Sequence, residues 1–285
     1  MVAKLLGGEP VATAVLERVQ QRVAALSERG KTVGLGVILV GDDPASAGYV
    51  RKKQETCASI GIRSELRHVS TTASQADLLA EVDRFNADPA LDGFLIQHPV
   101  PPGFDFNQAL LRMDPDKDAD GLHPTNLGRL VLQEPGPVPA TPAGIKAMLQ
   151  HYGIDIAGRD VVIIGRGPTL GRPLALLLAS KQPGADAAVT VVHSGVPDLE
   201  RFTRRADVLV AAVGKPDIVT PSMIKPGAVV VSGGISWRGK KLLPDVSESV
   251  GETAGWITPR LGGVGVTTVA MLLQNTLTLA ERRMN

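Results

Sequence analysis

The sequence predicts an α/β fold of two lobes with a cleft between them, and three observations carry that prediction. Apolar strand-like runs alternate with helix-periodic stretches over residues 34–97 and again over residues 160–231, the pattern of βαβ units whose parallel sheets are covered on both faces. Between about 101 and 142 the periodicity fades and prolines gather at 115, 124, 135, 137, 139 and 142, as expected of a functional segment or a domain junction. A long amphipathic stretch then closes the chain. The expected division is a first lobe of residues 1–140, with a terminal helix of about 266–285 packing back on it, and a second, Rossmann-type lobe of residues 141–265.

Taken in order, residues 9–30 read as a helix, because Val11, Val15, Val19, Val23 and Leu26 recur at helical spacing and Gly30 stops them. Gly34-Leu35-Gly36-Val37-Ile38-Leu39-Val40 is apolar without alternation, the mark of a strand buried on both faces, and Gly41-Asp42-Asp43-Pro44 ends it. A helix over 46–60, a strand over 63–69, a helix over 74–86 closed by Asp88-Pro89 and a strand over 93–97 complete the first series. After a stretch without clear elements, Thr141 as N-cap and Pro142 at the first helical position open a helix to about Tyr152. The second series consists of a strand over 160–165, a helix over 170–180, and strands over 188–192, 206–214 and 227–231. The last helix, about 266–283, carries Val269, Leu272, Leu273, Leu277 and Ala280 along one face.

Composition narrows the function. Apolar residues make up 44% of the 285 and charged residues 21%, and 30 basic against 29 acidic residues leave a net charge of +1. No basic excess points to nucleic acid and no acidic tail is present, so a small-molecule substrate remains by elimination. Cys57 is the single cysteine, which excludes an intrachain disulfide; without a neighbouring histidine it reads as a packed, inert thiol. The N-terminal apolar run is too short for a signal peptide, and no segment approaches the ~20 apolar residues of a membrane span. The expectation is a cytoplasmic protein without membrane partners. The histidines at 68, 98, 123, 151 and 193 show no ligand spacing, so no metal is expected.

Gly165-Arg166-Gly167-Pro168-Thr169-Leu170-Gly171 follows an apolar strand and opens a helix. In that context glycines let backbone N–H groups approach a pyrophosphate at a helix N-terminus. The spacing is one residue longer than the commonest dinucleotide form, and a tight strand–helix turn without a ligand would look the same. The next strand ends in His193-Ser194-Gly195. An NAD site would place a carboxylate there for the ribose 2′-hydroxyl, whereas Ser194 and Arg166 suit a 2′-phosphate. The cofactor expected is NADP; Arg166 as a solvated loop charge is the alternative.

Tyr49 and Lys53 stand four apart, on one face of the helix expected over 46–60. Spacing alone favours a solvated lysine beside a packed tyrosine. Gln97, at a strand end, and Asp120, in Pro115-Asp116-Lys117-Asp118-Ala119-Asp120-Gly121, are singly no more than polar loop groups.

Together these residues change the reading. Gly41-Asp42-Asp43-Pro44-Ala45-Ser46 running on to Tyr49 and Lys53, then Asp92-Gly93-Phe94-Leu95-Ile96-Gln97-His98-Pro99-Val100-Pro101, then Pro115 to Pro124, resemble the bifunctional methylenetetrahydrofolate dehydrogenase–cyclohydrolase family. The likeness continues through Asn126 to Leu130, Ala140 to Ile145, Gly165 to Pro173, Ala211-Ala212-Val213-Gly214-Lys215-Pro216 and Gly262-Gly263-Val264-Gly265, covering essentially the whole chain in order. The resemblance implies oxidation of 5,10-methylenetetrahydrofolate to the 5,10-methenyl cation with NADP, and hydrolysis of that cation to 10-formyltetrahydrofolate. It implies one-carbon metabolism and purine biosynthesis as the setting, and a homodimer formed through the nucleotide-binding lobe. Formate activation would then fall to another protein. Lys53, Tyr49 and Gln97 become the catalytic group, with Lys53 tuned by burial and by hydrogen bonds to Gln97 and Tyr49. Tyr49, Gln97 and Asp120 become the folate site, with Asp120 pairing with the pterin amino group and ring N–H. Gly165, Arg166, Gly167, Gly171, Ser194 and Gly214 become the cofactor site.

Two segments depart from the family pattern. Ser232-Gly233-Gly234-Ile235-Ser236 replaces an Asp-Val-Gly-Ile-Asn-like stretch, which removes a carboxylate that could anchor a loop. Leu261-Gly262-Gly263-Val264-Gly265-Val266 lacks the two usual prolines, which predicts a looser unbound loop. A paralogue with mainly cyclohydrolase activity is therefore an alternative. A non-catalytic dinucleotide-binding protein is another, against which Tyr49, Lys53, Gln97 and Asp120 argue.

Overall fold

A computed structural model describes residues 2–239 and 241–284; Met1, Lys240 and Asn285, which fall within the expected lobes and the expected terminal helix, lie outside the described residues. The chain starts with a two-residue strand, β1 (Lys4–Leu5), and helix α1 (Glu9–Glu28), beyond which Gly30 takes a φ of 79°. β2 (Gly34–Val40), α2 (Pro44–Ser59), β3 (Arg63–Val69), α3 (Gln75–Ala87) and β4 (Gly93–Ile96) then alternate. α2 begins two residues before the expected start, because Asp43 caps it by accepting from Ser46 N and Pro44 fits the first turn. α3 opens on a reciprocal capping box of Ser74 and Asp77.

The stretch expected to lack clear elements contains α4 (Phe106–Arg112) and α5 (Pro124–Leu132). At 7 and 9 residues they are too short to show an apolar repeat. Their signals are the caps, Asp105 accepting from Gln108 N and His123 Nδ1 accepting from Thr125 N. α6 (Ala140–His151) begins one residue before the expected Thr141 cap, so Thr141 and Pro142 lie in its first turn.

The second series runs β5 (Asp160–Ile164), α7 (Gly171–Ala179), β6 (Ala188–Val192), α8 (Glu200–Thr203), β7 (Val208–Ala211) and β8 (Val229–Ser232). An antiparallel hairpin of β9 (Ile235–Arg238) and β10 (Lys241–Pro244), a short β11 (Trp256–Ile257) and α9 (Val264–Arg282) complete the chain.

Two compact units result, Ala14–Ala140 with Val269–Asn285, and Met1–Thr13 with Thr141–Thr268. The first holds a three-stranded parallel sheet of order β3-β2-β4. Every residue of the central strand β2 is buried, as its unbroken apolar run requires. Phe85 and Phe94 meet edge to face at 5.4 Å in its core, each ring adding about 1.5–3 kcal/mol by burial. Within this unit Asn275 of α9 donates to the carbonyls of Ala119 and Val138 at 2.9 Å.

The second unit holds a six-stranded parallel sheet of order β1-β11-β8-β7-β5-β6. Alternate residues separate cleanly onto its faces. Val161, Ile163, Val208 and Val210 pack on one side with Leu174 and Ile145, while Val162, Ile164, Leu209 and Val230 pack on the other with Met223 and Val250. The chain leaves β5 for β6 on one side and later for β7 on the other. That reversal is a topological switch point, and ligands of such sheets bind beyond the strand C-termini there. Among the described residues no helix is long and apolar enough to cross a membrane.

Candidate active site

The buried face of α2 carries Ser46, Val50, Lys53 and Cys57, so helical spacing alone drives the Lys53 stem inward. Gln97 extends the β4 ladder, its N–H bonding Ile38 O at 2.8 Å. From there its side chain meets Lys53, and Lys53 Nζ donates to Gln97 Oε1 at 2.8 Å. Gln97 Nε2 donates in turn to His98 O at 2.8 Å, which fixes the amide with its oxygen toward the lysine. Both residues are 8% exposed.

Burial pushes the Lys53 pKa below that of a free lysine, opposed by the charges of Asp120 and Cys57. The Asp120 carboxyl is pushed up by desolvation, with Lys53 opposing and Asp118 reinforcing. The two groups act on each other through space without a salt bridge. Tyr49 sits one turn before Lys53, part-buried, with its phenol pKa raised by that burial. No hydrogen bond joins Tyr49 to Lys53 among the described residues, so the expected tyrosine contact is absent and Gln97 alone holds the amine. Cys57 is fully buried, its thiol pushed up to about 12 by desolvation.

Asp120 is presented by a loop whose scaffold is Asp118. That carboxylate, 1% exposed, accepts from Gly121 N at 2.9 Å, His123 N at 2.7 Å and Asn126 Nδ2 at 2.9 Å. Gly121 has a φ of 73°, and a Cβ there would stand 2.6 Å from Pro139 N, so only glycine closes the turn. Sequence reasoning missed Asp118 and Asn126. The available signal was an Asp three residues before a glycine, placed so that its carboxylate can accept from that glycine's N–H.

In the second unit the three glycines divide the work. Gly165 takes a φ of 118° at the end of β5, where a Cβ would lie 2.4 Å from Ala212 O. A Cβ on Gly171 would lie 2.2 Å from Gly165 O, so α7 can start this close to β5 only without a side chain. A Cβ on Gly167 would meet nothing within 4 Å, leaving its backbone open to a ligand. These are the turn, packing and approach roles of a dinucleotide loop. The α7 N-cap, Leu170, makes no side-chain cap, so the helix terminus keeps donors for a phosphate. Arg166 and Ser194 are both exposed at neighbouring strand ends. Gly214, beyond β7, takes a φ of 66°.

The departing loops are tied within this unit. Gly8 N donates to Gly262 O at 2.7 Å, Ser232 N to Thr258 Oγ1 at 2.8 Å, and Thr267 Oγ1 to Val264 O at 2.8 Å. The loop anchor that Ser232 cannot supply comes from Asp245, whose Oδ2 accepts from Val213 N and Gly214 N.

A glycine-cradled dinucleotide loop on one parallel sheet, and a desolvated lysine with its amide and carboxylate neighbours on another, define a two-domain nucleotide-dependent enzyme of the α/β class. Family models agree on which. Residues 6–120 match the catalytic domain of tetrahydrofolate dehydrogenase/cyclohydrolase, and residues 139–284 match its NAD(P)-binding domain. The chain is 66% identical to "Bifunctional protein FolD" of Syntrophotalea carbinolica, over 99% of this chain and 98% of that protein. Its fold matches the bifunctional methylenetetrahydrofolate dehydrogenase/cyclohydrolase of Campylobacter jejuni at a TM-score of 0.93 and 38% identity, covering 99% of each chain. It matches the Trypanosoma brucei enzyme, solved with NADP cofactor and inhibitor, at 0.93 and 36% identity, covering 100% of this chain and 99% of that one. The chain belongs to the tetrahydrofolate dehydrogenase/cyclohydrolase family. None of these relatives is named as a cyclohydrolase alone.

Proposed function

We propose that Lys53, Gln97, Tyr49 and Asp120 carry the folate chemistry of this bifunctional enzyme, and that Gly165, Arg166, Gly167, Gly171, Ser194 and Gly214 hold its NADP. The enzyme oxidises 5,10-methylenetetrahydrofolate to the 5,10-methenyl cation and hydrolyses that cation to 10-formyltetrahydrofolate. The bound NADP⁺ supplies the acceptor for the hydride that leaves the methylene carbon. In hydrolysis, water adds to the methenyl carbon and loses a proton, and ring opening leaves the formyl group on the substrate nitrogen.

The observation that carries this reading is the Lys53–Gln97 hydrogen bond inside a desolvated site. Gln97 offers Lys53 an acceptor only, so the neutral amine keeps one N–H on Gln97 and a lone pair free for the proton of the attacking water. A cationic substrate beside it disfavours the ammonium form further. Tyr49, one turn away, offers a ring for the folate to stack on. Asp120 offers two acceptor oxygens to the amino group and ring N–H of the pterin. Arg166 and Ser194 pair with the 2′-phosphate, and no carboxylate at the β6 end repels it. Residues 14–140 with the terminal helix from 269 form the folate lobe, and residues 141–268, joined by residues 1–13 whose β1 adds to the six-stranded sheet, form the NADP lobe. The enzyme acts in the cytoplasm as a homodimer built through the NADP lobe, supplying formyl units to purine biosynthesis.

A spectrophotometric assay with NADP⁺ and NAD⁺ side by side tests both halves. Methenyltetrahydrofolate should form with NADP⁺ at an ordinary enzymatic rate, on the order of 1–10³ per second. Lys53→Ala should lose hydrolysis while still binding NADP⁺. Unchanged hydrolysis in that variant, or preference for NAD⁺, would sink the corresponding assignment.

A further inference from the structure

Asp245, at the end of the β9–β10 hairpin, is fully buried in the nucleotide-binding unit. One oxygen, Oδ2, accepts from Val213 N at 2.8 Å and from Gly214 N at 3.1 Å. The other, Oδ1, is buried with no hydrogen-bond partner. The Asp245 N–H donates to Ser232 Oγ at 3.0 Å, so the end of β8, the hairpin and the segment after β7 are joined through this one residue. The fit has no slack: a Cβ on Gly234 would stand 2.1 Å from Asp245 Oδ2 and 2.6 Å from Gly214 N.

We propose that Asp245 is a positioning residue for the dinucleotide, setting Val213 and Gly214 beside the switch point by accepting their N–H groups rather than by its charge. The inference rests on the proposed NADP site. β7 borders the crevice where such sheets hold their ligand, and displacing that backbone by an ångström alters every contact it makes there. Burial raises the Asp245 carboxyl pKa, and the N–H groups of Val213, Gly214 and Lys215 counter it. A charge held there for its own sake would instead have a cation beside it. Among the described residues Asp245 has no salt-bridge partner, and the partners of its carboxylate are backbone amides.

The test compares Asp245→Ala, Asp245→Asn and Gly234→Ala, reading NADP⁺ affinity by calorimetry, KM and kcat for the dehydrogenase, and hydrolysis of methenyltetrahydrofolate without nucleotide. Asp245→Ala leaves two part-buried N–H donors without their acceptor and should weaken NADP⁺ about tenfold or more. Gly234→Ala presses on the same carboxylate and loop from the other side and should act in the same direction. Asp245→Asn keeps an oxygen that can accept both N–H groups and should stay within about twofold of wild type. Hydrolysis should persist in all three, which separates positioning from a general loss of structure. Wild-type NADP⁺ affinity in both alanine variants overturns the proposal. So does an Asn variant as weak as the Ala variant, or hydrolysis falling in parallel. If Asp245→Ala does not fold, Gly234→Ala and Asp245→Asn decide the matter alone. A wild-type protein that does not bind NADP⁺ refutes the cofactor reading itself.

Discussion

Replacing Asp118 tests whether a buried scaffold carboxylate holds the loop that presents Asp120. Its carboxylate accepts three hydrogen bonds of 2.7–2.9 Å, from Gly121 N, His123 N and Asn126 Nδ2, at a position 1% exposed. Alanine strands all three donors where water cannot replace the acceptor. At about 1–3 kcal/mol for each stranded buried donor, the loss should be at least about 2 kcal/mol even if one donor relaxes. Asparagine keeps the shape. With its oxygen toward His123 and Asn126, its amide NH₂ opposes Gly121 N, so one contact is lost and about 1–3 kcal/mol is expected. The midpoint of urea unfolding, at constant slope, measures both variants. Wild type should exceed Asp118→Asn, which should exceed Asp118→Ala, and the folate KM should rise in the same order. An alanine variant within about 1 kcal/mol of wild type, or an asparagine variant as unstable as alanine, refutes the scaffold argument.

Lys53→Arg keeps a cation that cannot deprotonate, so if the neutral amine is the base, hydrolysis should drop about 10²–10⁴-fold. In the wild type the neutral fraction grows with pH, so hydrolysis should rise through a midpoint lying below the ordinary lysine value of 10.5; an arginine variant retaining a tenth of the rate would refute the base role. Cys57, buried with its thiol pushed up to about 12, should resist a disulfide reagent at pH 8 in the native protein and react fully in denaturant. Native reactivity at the denatured rate would show that α2 does not bury it. Gly171→Ala places a methyl 2.2 Å from Gly165 O, which should cost about 1–3 kcal/mol of stability by overpacking and weaken NADP⁺ as the loop shifts. An unchanged melting temperature and affinity would mean that the close approach is not needed.

What was legible in the sequence depended on range. The β2 run and the Asp88-Pro89 stop of α3 are local, and they placed their elements to within a residue. The hairpin of β9 and β10 was invisible, because strands of four residues become strands only by pairing. That gap had a consequence. The missing Asp at 232 looked like a lost loop anchor, while Asp245, 13 residues on and donating its N–H to Ser232 Oγ, supplies the carboxylate oxygen that accepts from Val213 N and Gly214 N. The site was legible only as an ordered set of motifs. Spacing cannot show that a glutamine amide reaches a lysine 44 residues away. Nor can it tell Asp118, turned inward as scaffold, from Asp120 two residues later.

The Lys53–Asp120 arrangement explains why this lysine suits proton transfer. Desolvation acts on both groups in opposite senses, pushing the lysine pKa down and the carboxyl pKa up, and each charge partly offsets the other's shift. A direct salt bridge would fix both charges and deny the amine its neutral form. With Gln97 as the lysine's one hydrogen-bond partner among the described residues, the interaction with Asp120 remains through space. Asp118 adds a second negative charge behind Asp120 and reinforces the upward push on its carboxyl. A pterin that donates two hydrogen bonds to Asp120 would stabilise its ionised form, and a cationic methenyl carbon near Lys53 would disfavour the ammonium. In the proposed roles, substrate binding would favour an ionised Asp120 that holds the pterin and, against the opposing pull of that charge, a neutral Lys53 that takes the proton.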